Sequence, residues 1–209
     1  MKFVSLLSSG IDSPVATYML SKYADEFIFV HGDIRPFTDE KEMQNFLNIS
    51  KFLKKIINKK ITIYSILHGE ALKEYKKNCD NKFTCIFCKR NLLRYAEKIA
   101  NENAAEAIIM GDSLGQVASQ TIKNLAVVDK AVKIPIIRPL IGYDKEDVIK
   151  IAKRIGTYEI SILPSSSCSA VPNKPSTQAK IDKIEAEESK IVIQKLVNQL
   201  VENSKQISI

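Results

Sequence analysis

Four cysteines, two histidines and one Ser/Gly-rich turn carry much of the reactive chemistry in this 209-residue chain. The cysteines stand at 79, 85, 88 and 168. Cys85-Ile86-Phe87-Cys88 is a C-x-x-C at a predicted helix start, where the dipole lowers thiol pKa and favours thiolates that ligate metal or exchange disulfides. Four thiolates would suit zinc, whereas three leave an iron–sulfur cluster one open corner for an external ligand such as sulfide. Cys168 sits in Leu163-Pro164-Ser165-Ser166-Ser167-Cys168-Ser169-Ala170-Val171-Pro172-Asn173-Lys174-Pro175, which reads as a loop. A lone loop cysteine is more often inert than catalytic. Ser8-Ser9-Gly10-Ile11-Asp12-Ser13 follows a short apolar run and precedes a helical pattern. Such a turn aims backbone N–H groups and the positive end of the helix dipole at one point and can hold phosphate. It is not a Walker A motif, because no Gly-Lys-Ser/Thr follows, nor the G-x-G-x-x-G dinucleotide fingerprint. On residue types alone, a turn of this kind is more often structural. His31 alone reads as a satisfied strand-end histidine, and Lys89 alone as one surface lysine among many.

The elements around these residues predict an α/β fold with a doubly wound, mainly parallel sheet. Strands are expected at 2–7, 27–31, 60–67, 106–110 and 134–138, and helices at 14–22, 40–57, 88–103 and 144–155. Pro14 suits a first helical turn, with Ser13 or Asp12 as its cap, and Asp144 caps the last of these helices. Residues 177–203 place Ile181, Ile184, Ile191, Leu196 and Leu200 at near-helical spacing, which predicts a tail helix. In such sheets ligands sit beyond the carboxyl ends of the strands, so the loops 8–13, 31–36, 111–116 and 138–143 are expected to gather around one site.

With 45% hydrophobic and 26% charged residues, the composition excludes wholesale disorder and collagen-like repetition. No apolar run approaches the roughly 18–20 residues that cross a bilayer, and the chain turns polar after Leu7, too early for a secretory signal. A cytoplasmic protein with no membrane partner is expected, which argues against a disulfide framework. The net charge of +7 fits a polyanionic partner and a lysine-coated surface about equally well.

The loop at 8–13 resembles the Ser-Gly-Gly-x-Asp-Ser loop of the PP-loop ATP pyrophosphatases, which bind ATP and release pyrophosphate on forming an adenylate. Gly111-Asp112-Ser113-Leu114-Gly115-Gln116-Val117-Ala118-Ser119-Gln120-Thr121, followed by Ile137-Arg138-Pro139-Leu140 and Ile155-Gly156-Thr157, is similar to one branch of them. That branch is the tRNA 4-thiouridine synthetase or thiamine-biosynthesis sulfurtransferase (ThiI) family, of the archaeal type that carries a C-x-x-C. The likeness implies a Rossmann-like domain of the adenine nucleotide α-hydrolase type over 1–175, a helical tail over 176–209, and no THUMP or rhodanese domain in this chain. It implies ATP with Mg²⁺, and tRNA as the substrate whose uridine O4 is adenylated and replaced by sulfur. Nucleotide contacts carried over by the likeness are Leu6, Leu7, Ser8, Ser9, Gly10, Asp12, Ser13, His31, Gly32, Lys89, Gly111 and Gln120, with Asp12 near the pyrophosphate and its Mg²⁺. Asp12 and Cys168 are the catalytic residues so implied, and Cys168 the one that handles sulfur. Cys85, Cys88 and Cys168 are the implied ligands of an iron–sulfur cluster, with Cys79 a spare or fourth ligand. A redox or persulfide relay between Cys168 and the C-x-x-C pair is the other use of the same thiols.

Ser9 stands where the family has glycine, and if that position needs φ > 0 a serine costs on the order of 1 kcal/mol. The expected partners are a separate THUMP-type RNA-binding chain or a second copy, and a sulfide or persulfide donor. Alternative functions are a PP-loop enzyme acting on another tRNA base or a small-molecule acceptor, sulfur transfer for the thiamine thiazole, and a non-catalytic nucleotide-binding subunit.

Overall fold

A computed structural model describes residues 1–209. It runs β1 (Lys2–Leu6), α1 (Asp12–Met19), β2 (Glu26–Gly32), α2 (Glu40–Ile57), β3 (Lys60–Ile66), α3 (His68–Asn78), α4 (Thr84–Glu102) and β4 (Ala107–Ile109). α5 (Ile122–Asp129), β5 (Ile136–Ile137), α6 (Lys145–Ile155), α7 (Tyr158–Ser161), α8 (Ile181–Glu188), α9 (Ile193–Glu202) and β6 (Lys205–Ile207) complete it. The strand order is β5-β4-β1-β2-β3-β6, and every neighbouring pair is parallel except β3 with β6. The chain winds outward from β1 to β3, then returns to set β4 and β5 on the other side of β1. The reversal opens a crevice beyond the carboxyl ends of β1 and β4, the place where such sheets bind ligands. The doubly wound α/β expectation holds.

Alternate strand residues serve opposite layers, because side chains in a strand point to opposite faces. Val4, Leu6, Ile28, Val30 and Ile108 join a cluster with Tyr75, Phe87, Tyr95 and Ile99 of α3 and α4. Phe3, Phe27, Phe29 and Ile109 join another with Phe46, Ile49 and Leu53 of α2 and Val148 of α6. Each such side chain contributes roughly 2 kcal/mol by leaving water. Helix α2 begins at Asp39, which accepts from the Lys41 and Glu42 amides, and ends at left-handed Asn58. Asp144 caps α6 as expected, accepting from the Asp147 amide. No helix is long and apolar enough to cross a membrane.

Several local expectations need correction. Helix α4 starts at Thr84, not 88, so both cysteines of the C-x-x-C lie inside it. Helices α3 and α5 were not anticipated, and the strand expected at 134–138 shrinks to two residues. The tail is not one helix: a break at 189–192 separates α8 from α9, and β6 follows. Neither Asp12 nor Ser13 caps α1, whose cap position is Ile11 with no side-chain hydrogen bond.

Candidate functional site

Between β1 and α1, Ser13 turns its hydroxyl back into the loop, where Oγ accepts from the Ser8 amide at 2.9 Å and meets Ser8 Oγ at 3.0 Å. This contact curls residues 8–13 and leaves the first turn of α1 without a side-chain cap, so its amides stay open to an anion. Ser5 Oγ bonds Thr17 Oγ1 at 2.6 Å and fixes α1 on β1. No residue of the loop has a positive φ, so Ser9 carries none of the strain a glycine would be needed to relieve. Gly111, at the end of β4, is obligatory for packing: a Cβ there would lie 2.6 Å from the Ser13 nitrogen. Asp12 is ion-paired through Oδ1 with Lys145 Nζ at 2.7 Å.

Beside the loop, a cavity of about 190 Å³ is lined by Leu6, Leu7, Ser8, Val30, His31, Gly32, Ile34, Glu42 and Leu92. Five of these, Leu6, Leu7, Ser8, His31 and Gly32, are residues the sequence singled out. His31 donates from Nδ1 to the Leu7 carbonyl at 3.2 Å and stacks on Phe46 at 3.9 Å. Its Nε2 lies 3.2 Å from Glu42 Oε2 with no hydrogen bond between them. Burial pushes the Glu42 carboxyl up, yet His31 and Ser9 outweigh it and hold it below the ordinary range.

Asp112, only 4% exposed, is the hub between this crevice and α4. Its Oδ1 takes Lys89 Nζ at 2.5 Å and Gln120 Nε2 at 3.2 Å, and its Oδ2 takes Arg138 Nε at 3.0 Å. Burial raises the Asp112 pKa, but the facing cations win and keep it ionised below its usual range. Arg138 is held from the other side by Asp129. Gln120 Oε1 is buried without a partner.

The thiols gather next door. Cys85, Cys88 and Cys168 line one cavity of about 240 Å³, together with Ile34, Leu72, Thr84, Lys89, Ser119, Ala170 and Val171. The loop bearing Cys168 is stapled to the chain after β2. Ser166 donates to Asp39 Oδ2 through its amide and hydroxyl, Thr38 Oγ1 donates to the Ser166 carbonyl, and the Ser169 amide to the Phe37 carbonyl. Burial pushes the Cys85 thiol up and the Cys88 thiol to about 12, which overturns the expected lowering by the helix dipole. Desolvation dominates because α4 starts a turn earlier and sets Cys88 partly buried on the wall of the cavity. Cys79 lies elsewhere, donating to the Glu187 carbonyl at 3.3 Å, its pKa raised by burial to about 11. It is not among the residues that line the cavity of the other three thiols.

His68, which the sequence reading missed, stands 3.2 Å from Cys88 Sγ through Nε2, and burial pushes it down to about 3, so it is neutral. No three His, Cys, Asp or Glu side chains converge as a single metal ion requires. An iron–sulfur cluster spreads its ligands around a larger body and needs only thiols facing one cavity, and this donor set fits it. Glu42, Asp112, Arg138 and Lys145 were also passed over as site residues. Asp112 and Arg138 lie in segments already noted, but their pairing spans 26 residues and leaves no local pattern.

The family model "Thiamine biosynthesis protein (ThiI)" matches residues 1–193. A relative from Acetivibrio thermocellus described as "Probable tRNA sulfurtransferase" is 40% identical over 210 residues, covering 100% of this chain and 53% of its own length. The chain thus spans about half the length of the curated relatives it matches. Among solved structures, a 4-thiouridine synthetase in complex with RNA and bound ATP superposes with a TM-score of 0.94 at 35% identity, covering 99% of this chain and 54% of that one. The U34-tRNA thiolase NcsA from Methanococcus maripaludis, solved with its [4Fe-4S] cluster, shares the fold at a TM-score of 0.51 and 16% identity, covering 100% of this chain and 74% of that one.

Proposed function

The chain belongs to the ThiI family, and from that premise we propose that it is the catalytic part of an ATP-dependent tRNA sulfurtransferase that converts uridine to 4-thiouridine. One observation carries the reading. The cavity beside the 8–13 loop and the cavity holding three thiols share Ile34 as a wall, and Lys89 lines the thiol cavity while its ammonium is anchored on Asp112. A site for activating an oxygen therefore adjoins a site for delivering sulfur.

In the first step the uracil O4 attacks the α-phosphorus of ATP and pyrophosphate leaves. The open amides of α1 hold the departing phosphates, and Lys145 and Lys89 offset their charge. Asp12, whose Oδ1 is taken by Lys145, would hold Mg²⁺, which commonly binds through one carboxylate plus substrate phosphates. The purine lies against Leu6, Leu7, His31 and Gly32, and the unpartnered Gln120 Oε1 accepts from the nucleotide. In the second step sulfur attacks C4 and AMP leaves with the former O4. Cys85, Cys88 and Cys168 would hold an iron–sulfur cluster, which supplies the sulfur as sulfide. Delivery of tRNA by a THUMP-type RNA-binding chain or through a homodimer, and a sulfide or persulfide donor, belong to the same proposal.

The test is ATP-dependent 4-thiouridine formation in unmodified tRNA with sulfide as donor, comparing wild type, Asp12→Ala and Cys168→Ala. Both variants are expected to lose thiolated product, but only Asp12→Ala also loses pyrophosphate release. Full thiolation by Cys168→Ala would overturn the assignment of the sulfur site.

A further inference from the structure

We propose that His68 is a positioning residue for the thiol site, held by a one-way chain of hydrogen bonds so that its Nε2–H faces the Cys88 sulfur. The inference rests on the reading of Cys85, Cys88 and Cys168 as the place where sulfur is handled.

The direction of the chain is set at its far end. The buried Tyr75 hydroxyl has a proton to place, and the Asn91 side chain is its one hydrogen-bond partner. Tyr75 therefore sends its proton to Asn91 Oδ1 at 3.1 Å. That leaves the Asn91 amide nitrogen 2.8 Å from the Tyr95 hydroxyl, and this nitrogen only donates. The Tyr95 proton therefore goes to His68 Nδ1 at 3.3 Å. A neutral imidazole that accepts at Nδ1 carries its proton on Nε2, and Nε2 is the atom 3.2 Å from Cys88 Sγ. The opposite polarity would point the Asn91 amide at Tyr75 and leave the Tyr75 proton with no acceptor. Tyr75, Asn91, Tyr95 and His68 are each at most 1% exposed, so water offers no substitute.

The consequence concerns the sulfur. An N–H aimed at a cysteine sulfur stabilises negative charge there, and hydrogen bonds to ligand sulfurs are among the levers that set cluster potentials. The donor is fixed by the buried Tyr75 hydroxyl of α3, not by the nucleotide crevice.

The chain has only two histidines, so ¹⁵N-histidine labelling resolves both rings. In metal-free wild type at neutral pH, two-bond ¹H–¹⁵N spectra, assigned with His31→Gln, are expected to show His68 as the Nε2–H tautomer. Tyr95→Phe, and Tyr75→Phe at the far end, are each expected to admit the Nδ1–H form. An Nδ1–H tautomer in wild type overturns the proposal without recourse to any variant. After anaerobic loading with ferrous iron and sulfide, Tyr95→Phe is expected to show a reduction potential below that of wild type. An unchanged potential overturns the tuning role. A wild type that takes up no iron sinks the cluster reading instead, and the tautomer spectrum then decides the proposal.

Discussion

At the residue scale, burying a titratable group sets a pH signature that can be read without any ligand. His68 has an ordinary value of 6.5 and is held near 3 in the folded protein by desolvation. Below pH 6.5 the unfolded chain takes up a proton that the folded chain refuses, so stability falls as pH drops toward 3. Between pH 7 and 5 the loss amounts to about 2 kcal/mol. Asp112 and Glu188, both lowered by cationic partners, contribute below this window, because their unfolded forms stay ionised until pH approaches their ordinary values of 3.8 and 4.5. Urea midpoints should therefore fall for wild type between pH 7 and 5 and stay nearly level for His68→Gln. An equally steep fall in the variant would place the proton uptake elsewhere.

At the element scale, α4 is the beam on which the thiol site is built: it carries Cys85, Cys88, Lys89, Asn91 and Tyr95 on successive turns. It is gripped from the tail by Glu188 of α8, whose carboxylate takes both Arg90 and Arg94. Glu188→Gln removes the charge and leaves two buried guanidinium groups on a neutral amide, which costs roughly 3 kcal/mol. Urea unfolding should show that loss, and one below about 1 kcal/mol would mean that the cations are satisfied without Glu188. This grip also explains what local patterns could not reveal. Helices α2 and α6 were legible because each joins an apolar stripe to an Asp cap. Helix α3 was not, because its short apolar face of Ala71, Leu72 and Tyr75 sits among lysines and follows Gly69, whose place is dictated by the Arg35 carbonyl. The break at 189–192 has neither Gly nor Pro, and apolar spacing continues through it. The tie that orients α8 joins residues 98 apart.

At the scale of the whole molecule, the strand order puts the 8–13 loop and the thiols together beyond the carboxyl ends of the strands, and the gathering of loops there was legible from the strand–loop–helix rhythm alone. That Cys168 meets Cys85 and Cys88 came only through family resemblance, since 80 residues of chain separate Cys88 from Cys168 and the staple to Thr38 and Asp39 is tertiary. Ile34, following β2, lines both cavities and so stands where, on the proposed function, the two half-reactions would meet. An adenylated base is exposed to hydrolysis until sulfur reaches it, and a closed wall excludes competing water. Truncating this wall with Ile34→Ala merges the cavities and admits water while leaving Asp12, Lys89 and all three thiols in place. Pyrophosphate release should persist at near the wild-type rate while 4-thiouridine falls, raising the ratio of pyrophosphate to thiolated product above that of wild type. Measuring both products in one reaction decides the matter: a ratio unchanged from wild type would show that the handover from oxygen activation to sulfur delivery does not pass this wall.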